Sequence, residues 1–526
     1  MAVMAKDMVQ VRKPRTNRFA EEPNVRVGRS QMDLSHMLKV GFDASYLYPI
    51  LVDEVLPGDT VTCSLNGFVR ITHPLEAPIL DNIELDTFFF FVPNRLIWDN
   101  WKYFQGEHDA AGAQDTDYTI PILSGATGIT HNAGLFNGYA LGAYLGLPAG
   151  LEPDNTDVNQ LPFRAYKLIY NEWFRDQNLI DEATLATDDG PQNISGYILY
   201  KSAKKHDYFT SALPYLQKGD AENLWEGTTF DVETLAVQGN EITIESGSGQ
   251  RDLDSSGANV IVDTTNTGSA MYIDTSAVNI SINDLRESVA IQRLLEKDAR
   301  GGTRYVEIIK SHFGVTSPDF RLQRPEYLGG GKAFINVNPV AQTDTSVGDL
   351  GAYGTGVING HGWAKSFVEH GYIIGMVRAR GDVTYFQGLP RMYSRSTRYD
   401  FYMPALAMLG EQSILNKELF VKNDGSTTDD LTFGYTERWN EYRFKPSRIV
   451  GNLNPDSSSA LSHWHLAEDH SDTPDLNQTF IEDATPMDRV TTTDTGNQFL
   501  ADIWFNYRWA RPIPVHSIPS LVGMRF

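Results

Sequence analysis

Apolar and polar residues alternate with period two most cleanly near the C-terminus. There Phe499, Ala501, Ile503, Phe505, Tyr507 and Trp509 are apolar, and Asp502, Asn506 and Arg508 fall between them. Such a segment is a half-buried strand, because successive side chains of a strand leave on opposite faces. Val61, Cys63 and Leu65 alternate in the same way. Ile83, Leu85 and Thr87 lead into the continuous apolar run Phe88 to Val92, which predicts a strand covered on both faces and ended by Pro93. Tyr372 to Val377 and Val383 to Phe386 are further strand candidates. Helical spacing is rarer. Phe163, Tyr166, Ile169, Tyr170, Trp173 and Phe174 place an aromatic face on a helix over 163–179. A second helix is expected over 285–300, capped by Asn283 or Asp284 and stopped at Gly301-Gly302, with a short third over 303–312 ending at Gly314. No repeat of solenoid or propeller period is present. Many strands, long connections and few helices indicate a mainly β sandwich or barrel elaborated in its loops.

Composition narrows this picture. The chain has 526 residues, 41% of them hydrophobic and 11% aromatic, enough for a large core, and its 44 Gly and 25 Pro suit a loop-rich fold. Cys63 is the single cysteine, which rules out an intrachain disulfide and fits folding in a reducing compartment. The N-terminal residues lack the apolar core of a secretory signal. The long uncharged stretch 118–151 carries seven Gly and two Pro, so it reads as a surface loop and not as a membrane helix.

Net charge is −23, which by itself opposes nucleic-acid binding, since affinity for phosphate grows with the number of Lys and Arg contacts. The distribution is uneven. Residues 217–284 hold twelve acids against Lys218 and Arg251, whereas residues 1–30 hold seven basic residues against Asp7, Glu21 and Glu22. Three regions follow: a basic arm 1–30, a main body 31–216 plus 285–526, and an acidic insertion 217–284 rich in Gly, Ser, Thr and Asn. Within the insertion, 241–245, 259–262 and 278–282 are strand-like, and Trp225, Phe230 and Tyr272 are the aromatics, either a small core or contact residues.

Several long segments carry a family resemblance: ELDTFFFFVPNRLIWDNW (84–101), LEKDARGGTRYVEIIKSHFGVTSPDFRLQRPEYLGG (295–330), SRSTRYDFYMPALAMLGEQSILNKEL (394–419), FGYTERWNEYRFKPSRI (433–449) and ARPIPVHSIPSL (510–521). In this order they resemble the major capsid proteins of the gokushoviruses, single-stranded DNA bacteriophages of the microvirus family. The resemblance spans about residues 42–521. It implies an eight-stranded viral jelly-roll β-barrel with long loop insertions and a few short helices, assembled as a T=1 icosahedral shell around circular single-stranded DNA. It also implies an insertion at 217–284 that forms the threefold protrusion and meets a host surface receptor. The implied partners are further copies of the chain, an internal scaffolding protein, a small basic DNA-associated protein, a DNA pilot protein and the genome. The virion is the implied location, with assembly in the bacterial cytoplasm and without membrane insertion.

Candidate chemistry is sparse. Lys6, Arg12, Lys13, Arg15 and Arg18 could face DNA, although charged termini are ordinarily solvated; Arg508, Arg511 and Arg525 are weaker candidates. The cluster HWHLAEDH offers His463, His465, Glu468, Asp469 and His470, donors that suit a divalent metal in a cupin-like enzyme. Its spacing is shorter than the cupin pattern and no second-motif His follows, so a loop or subunit contact is the plainer expectation. Gly329-Gly330-Gly331-Lys332 lacks the flanking Gly and the Ser or Thr of a phosphate loop and is expected as a tight loop. No catalytic arrangement, cofactor or metal is predicted. Ile97 to Phe104 and Arg511 to Leu521 are candidate subunit contacts. A jelly-roll lectin or receptor-binding protein is the alternative outside a shell.

Overall fold

The computed structural model describes residues 28–107, 118–125, 129, 138–219, 232–233, 243–246, 249–252, 272–273, 282–301, 304–314, 323–341, 350–493 and 496–515. Nine strands make one antiparallel sheet: β1 (Ser30–Asp33), β2 (His36–Phe42), β3 (Tyr48–Val55), β4 (Thr60–Ile71), β5 (Ile83–Pro93), β6 (Glu326–Ala341), β7 (Leu350–Ser366), β8 (Gly371–Gly381) and β9 (Phe499–Arg511). Both β1 and β2 pair with β9 and form one interrupted strand. At the break, Leu34 N–H donates to the Tyr507 carbonyl at 2.8 Å, and Ser35 Oγ accepts from Tyr507 N–H at 3.0 Å. The order is then β1/β2-β9-β4-β7-β6-β5-β8-β3. The first four and the last four are the two facing sheets of a jelly roll, joined through the β6–β7 hairpin.

Strand β9 shows why the pattern was readable. Phe499, Ala501, Ile503, Phe505, Tyr507 and Trp509 are buried, and every residue between them up to Arg508 is exposed. Burying each of the larger side chains stabilises the barrel by roughly 1.5–3 kcal/mol. Strand β5 is enclosed on both faces for two reasons. Phe89 and Phe91 meet Trp363 and Phe367 inside the barrel, at ring distances of 6.1 and 4.6 Å. Phe88 and Phe90 instead pack against Phe174 and Trp173 in a layer over the second sheet.

That layer contains α1 (Gly138–Tyr144) and α2 (Leu161–Ile169). Ala140 and Leu141 are buried, so part of the stretch expected as a surface loop is a core-packing helix. The aromatic helix is shorter than its periodicity suggests. It ends in a wider turn, Tyr170–Phe174, and Arg175 becomes extended. Asp176 Oδ1 then accepts from Asn178 N–H at 2.9 Å, a local turn that competes with helix continuation. Ile97 and Trp98, expected at a subunit contact, are completely buried in this layer, with Trp98 Nε1 donating to Asp189 Oδ1 at 2.6 Å.

Further expectations are revised. Gly329–Gly331 is not a loop but the start of β6, paired with β5 past an irregularity between Tyr327 and Gly329. A Cβ on Gly330 would run into the Thr87 carbonyl oxygen, and one on Gly331 into the His361 ring. The glycines therefore serve close backbone approach inside a sheet, where a periodicity argument has no side chains to follow. Val383 to Phe386 forms no strand and retains a single bridge, Tyr385 to Arg448. Helix α3 (Ile282–Gly301) begins before Asn283 and Asp284, which lie in its first turn. Helix α4 (Tyr305–Phe313) stops at Gly314, whose φ of 68° is the left-handed conformation of a glycine C-cap. In the acidic region, Thr243–Ser246 pairs with Gly249–Asp252 and Val232–Glu233 with Tyr272–Ile273. The candidate over 259–262 lies outside the described residues, as does that over 278–282 apart from Ile282, which opens α3.

The chain beyond β8, joined by residues 208–212, builds a loop layer with its own small core, which includes Phe209, Tyr385, Ile414, Phe433 and Phe480.

Candidate assembly surfaces

The His cluster was the sharpest chemical candidate in the sequence, and the fold uses it internally. His465 is buried, its Nε2 lies 2.7 Å from the Leu453 carbonyl, and its Nδ1 accepts from Ala467 N–H at 3.2 Å. Burial lowers its pKa, which favours the neutral ring these two bonds require. Glu468 pairs with Lys204 Nζ at 2.5 Å and faces His470 Nε2 at 3.5 Å. Burial opposes its ionisation, but His470 and Lys204 outweigh burial and hold its pKa low. Asp469 accepts from Gln387 at 3.2 Å. No group of three His, Cys, Asp or Glu among the described residues is placed to hold a metal ion. Cys63 is buried in β4, and burial pushes its thiol up to about 12, out of the nucleophilic range.

Other charged groups are also engaged in the subunit. Glu84 and Asp86 on β5 stand opposite Arg380 and Arg378 on β8. Asp86 is 2.5 Å from Arg378 and 3.1 Å from Arg380; Glu84 meets Lys205 at 2.5 Å, Lys332 at 2.8 Å and Arg380 at 3.3 Å. Lys332, the residue that invited a phosphate-loop reading, is thus an ion-pair partner of the barrel. Arg511 donates to the Glu54 carbonyl, pairs with Asp59 at 3.0 Å and lies over the Trp509 ring, so it is not a free DNA contact.

Lys6, Arg12, Lys13, Arg15, Arg18, Arg525, Trp225 and Phe230 lie outside the described residues. Tyr272 sits in the short pair with Val232–Glu233. The chain enters the barrel beside Arg29, whose Nη1 donates to Thr60 Oγ1 at 2.9 Å.

The surface left over is rich in unsatisfied apolar side chains. Met408 in the loop layer is 97% exposed, Val368 in the β7–β8 turn 87%, and Phe313 at the end of α4 78%. On the outer face of the first sheet, Trp504 lies opposite Met37, and Phe68 opposite Val357, all four exposed. Large apolar groups on several separate elements suit a subunit that meets several neighbours, since obligate interfaces bury extensive apolar area. Sequence reasoning missed these positions because an isolated Met or Val in a loop carries no periodic signal.

The family model described as "Capsid protein (F protein)" matches residues 20–521. The chain belongs to the F-protein family of phage capsid proteins. It is 43% identical to capsid protein VP1 of Bdellovibrio phage phiMH2K, an alignment covering 96% of this chain and 98% of that protein. Capsid protein VP1 of Chlamydia phage 1 is 38% identical with the same coverage, and that of Spiroplasma virus 4 is 32% identical over 94% of this chain and 96% of its own. The relatives are capsid proteins of the Microviridae. Membership assigns a structural, non-enzymatic role as a virion component produced in a bacterial host.

Proposed function

We propose that this chain is the major capsid protein of a gokushovirus-type microvirus and closes into a T=1 icosahedral shell around circular single-stranded DNA. The observation that carries the reading is a self-sufficient jelly roll whose exposed apolar residues lie on separate loops and strands, in a chain aligned almost end to end with three phage capsid proteins. Many contacts of modest strength per subunit become collectively stable in a closed shell. An internal scaffolding protein, a small basic DNA-associated protein and a DNA pilot protein complete the assembly. The basic arm with Lys6, Arg12, Lys13, Arg15 and Arg18 faces the genome. The acidic insertion 217–284, with Trp225, Phe230 and Tyr272, forms the threefold protrusion and contacts a host surface receptor.

Negative-stain microscopy and sedimentation of nuclease-treated material from cells producing the chain with its neighbouring phage proteins test this. Closed isometric particles that protect single-stranded DNA are expected; a soluble monomer or trimer without protected DNA would favour a lectin or receptor-binding protein instead. Deletion of residues 225–275 is expected to leave particles intact and abolish attachment. Particles lacking residues 1–18 are expected to package less DNA.

A further inference from the structure

Copies of a chain with net charge −23 repel one another, so a contact between them needs a place where the sign is locally reversed. The loop layer holds one. Residues 391–402 and 438–448 carry seven Lys and Arg against two carboxylates, Asp400 and Glu441. The fold joins the two segments: Tyr402 packs edge-on against Trp439 at 5.5 Å, and Arg395 lies 4.6 Å over the Tyr442 ring. Arg391, Arg395 and Arg443 are engaged by Glu418, Glu441 and Glu437. Arg398, Lys445 and Arg448 are exposed and form no ion pair among the described residues. Among them stand Tyr399, 69% exposed, and Phe444, 61% exposed.

The opposite sign gathers at the other end of the barrel. Residues 151–157 and 187–189 carry five carboxylates and no Lys or Arg. Segment 121–125 ties them into one surface, because Gly125 N–H donates to Asp154 Oδ1 at 2.6 Å and Leu123 pairs with Gln192. Asp154 and Asp157 are exposed and form no ion pair among the described residues, and the Asp188 side chain, which meets Arg164, is still 70% exposed. The barrel fixes where this surface sits. Asn159 Nδ2 donates to the Tyr372 hydroxyl at 3.1 Å, at the start of β8, whereas the loop layer follows Gly381 at the end of that strand. The eleven residues of β8 separate the two anchor points by roughly 35 Å. Each patch is bonded to its own end of the barrel, so the two cannot meet within one subunit.

Patches of opposite sign at opposite ends suit a heterologous contact, in which one face of a subunit meets a different face of the next, the kind that repeats around a closed ring. The charges set register and exclude like-signed faces, while exposed rings between the cations supply area that can leave water. Any acidic protein would meet the cations, but the acidic end is present on every copy in equal number. We propose that the surface formed by residues 391–402 and 438–448 binds the acidic end of a second copy of this chain, with Arg398, Lys445 and Arg448 facing Asp154, Asp157 and Asp188 of that copy. This rests on the reading of the chain as a shell subunit and names one of its joints.

The test uses the full chain, produced with its neighbouring phage proteins, and reads particle yield by sedimentation. Lys445→Glu/Arg448→Glu and Asp154→Lys/Asp157→Lys are each expected to lower the yield at least about tenfold, because like charges then face each other at every copy of the joint. The four substitutions together restore opposite signs and are expected to recover the yield to within about threefold of wild type. All four positions are exposed, so the variants keep their core packing and the subunits stay soluble. In wild-type material assembled from isotopically light and heavy subunits, a carbodiimide, which joins amines to carboxylates in direct contact, is expected to link Lys445 to Asp154 or Asp157 of a differently labelled copy. Wild-type yield from either reversal, no recovery in the combined variant, or wild-type particles without that cross-link would overturn the proposal. Failure of the shell reading has a different signature. Wild-type chains that form only open oligomers, yet carry the Lys445 cross-link, would remove the closed shell and keep this contact, whereas closed particles from both reversals would keep the shell and remove the contact.

Discussion

Glu84 offers a quantitative test of how the barrel is held at its β5–β8 seam. Burial alone would raise its pKa, but Lys205 and Lys332, followed by Arg380, hold it down to about 2 from an ordinary 4.5. At about 1.4 kcal/mol per pH unit this difference corresponds to roughly 3 kcal/mol of folding free energy. The Lys205 and Lys332 side chains are 44% and 40% exposed, so water screens part of the attraction and roughly 2 kcal/mol remains. Glu84→Gln removes the charge while keeping the shape, and should lower the stability of the dissociated subunit by about that amount at neutral pH. The sign in acid follows from the depressed pKa. The contribution is complete above the unfolded value near 4.5 and disappears as pH falls through about 2, so by about pH 3 less than half is left. Urea unfolding followed by tryptophan fluorescence, run from neutral pH to about pH 3, should show the two proteins converging in acid. If Glu84→Gln matches wild type at neutral pH, or the gap stays constant on acidification, the ion-pair account of this seam is wrong.

Met408→Asp and Val368→Asp should leave subunit stability within about 0.5 kcal/mol of wild type, because both side chains are solvated in the subunit, yet abolish sedimenting particles; normal particles would show that neither residue lies at a joint. Gly330→Ala should yield insoluble protein, since its Cβ meets the Thr87 carbonyl across the β5–β6 pairing, whereas Gly360→Ala, strained at φ 67° but open in space, should fold with a loss of about 1–2 kcal/mol in urea titrations. Trp98→Ala should cost about 3–5 kcal/mol in subunit unfolding and reduce soluble yield, because it empties a fully buried site and removes the indole hydrogen bond to Asp189. A chelator should not change the melting temperature. His465→Ala should cost about 1–3 kcal/mol through its lost hydrogen bonds and remove the part of the stability that fades as pH falls below about 6.5; a chelator-induced drop in melting temperature would revive a metal at this cluster.

Local pattern by itself determined the strands whose two faces see different surroundings. In β9 and β4 the alternation of apolar and polar residues matches the alternation of buried and exposed positions, because the side-chain period of a strand is a local property. The continuous apolar run of β5 likewise announced burial on both faces, and Gly314 marked the end of α4. The family-specific segments carried the jelly-roll order itself, which no periodicity could supply. Tertiary structure alone decided the rest. Gly329–Gly331 became a strand because β5 and His361 press against it, and Ile97 and Trp98 turned inward because α2 and Asp189 cover them. His465 and Glu468 were drawn into internal bonds by Leu453 and Lys204, which are distant in sequence. Two basic aromatic segments some forty residues apart became one surface only when the loop layer closed around its small core. In each case the deciding partner lies far along the chain, and the free energy of a contact depends on which groups meet in space, information that the local pattern of residues does not hold.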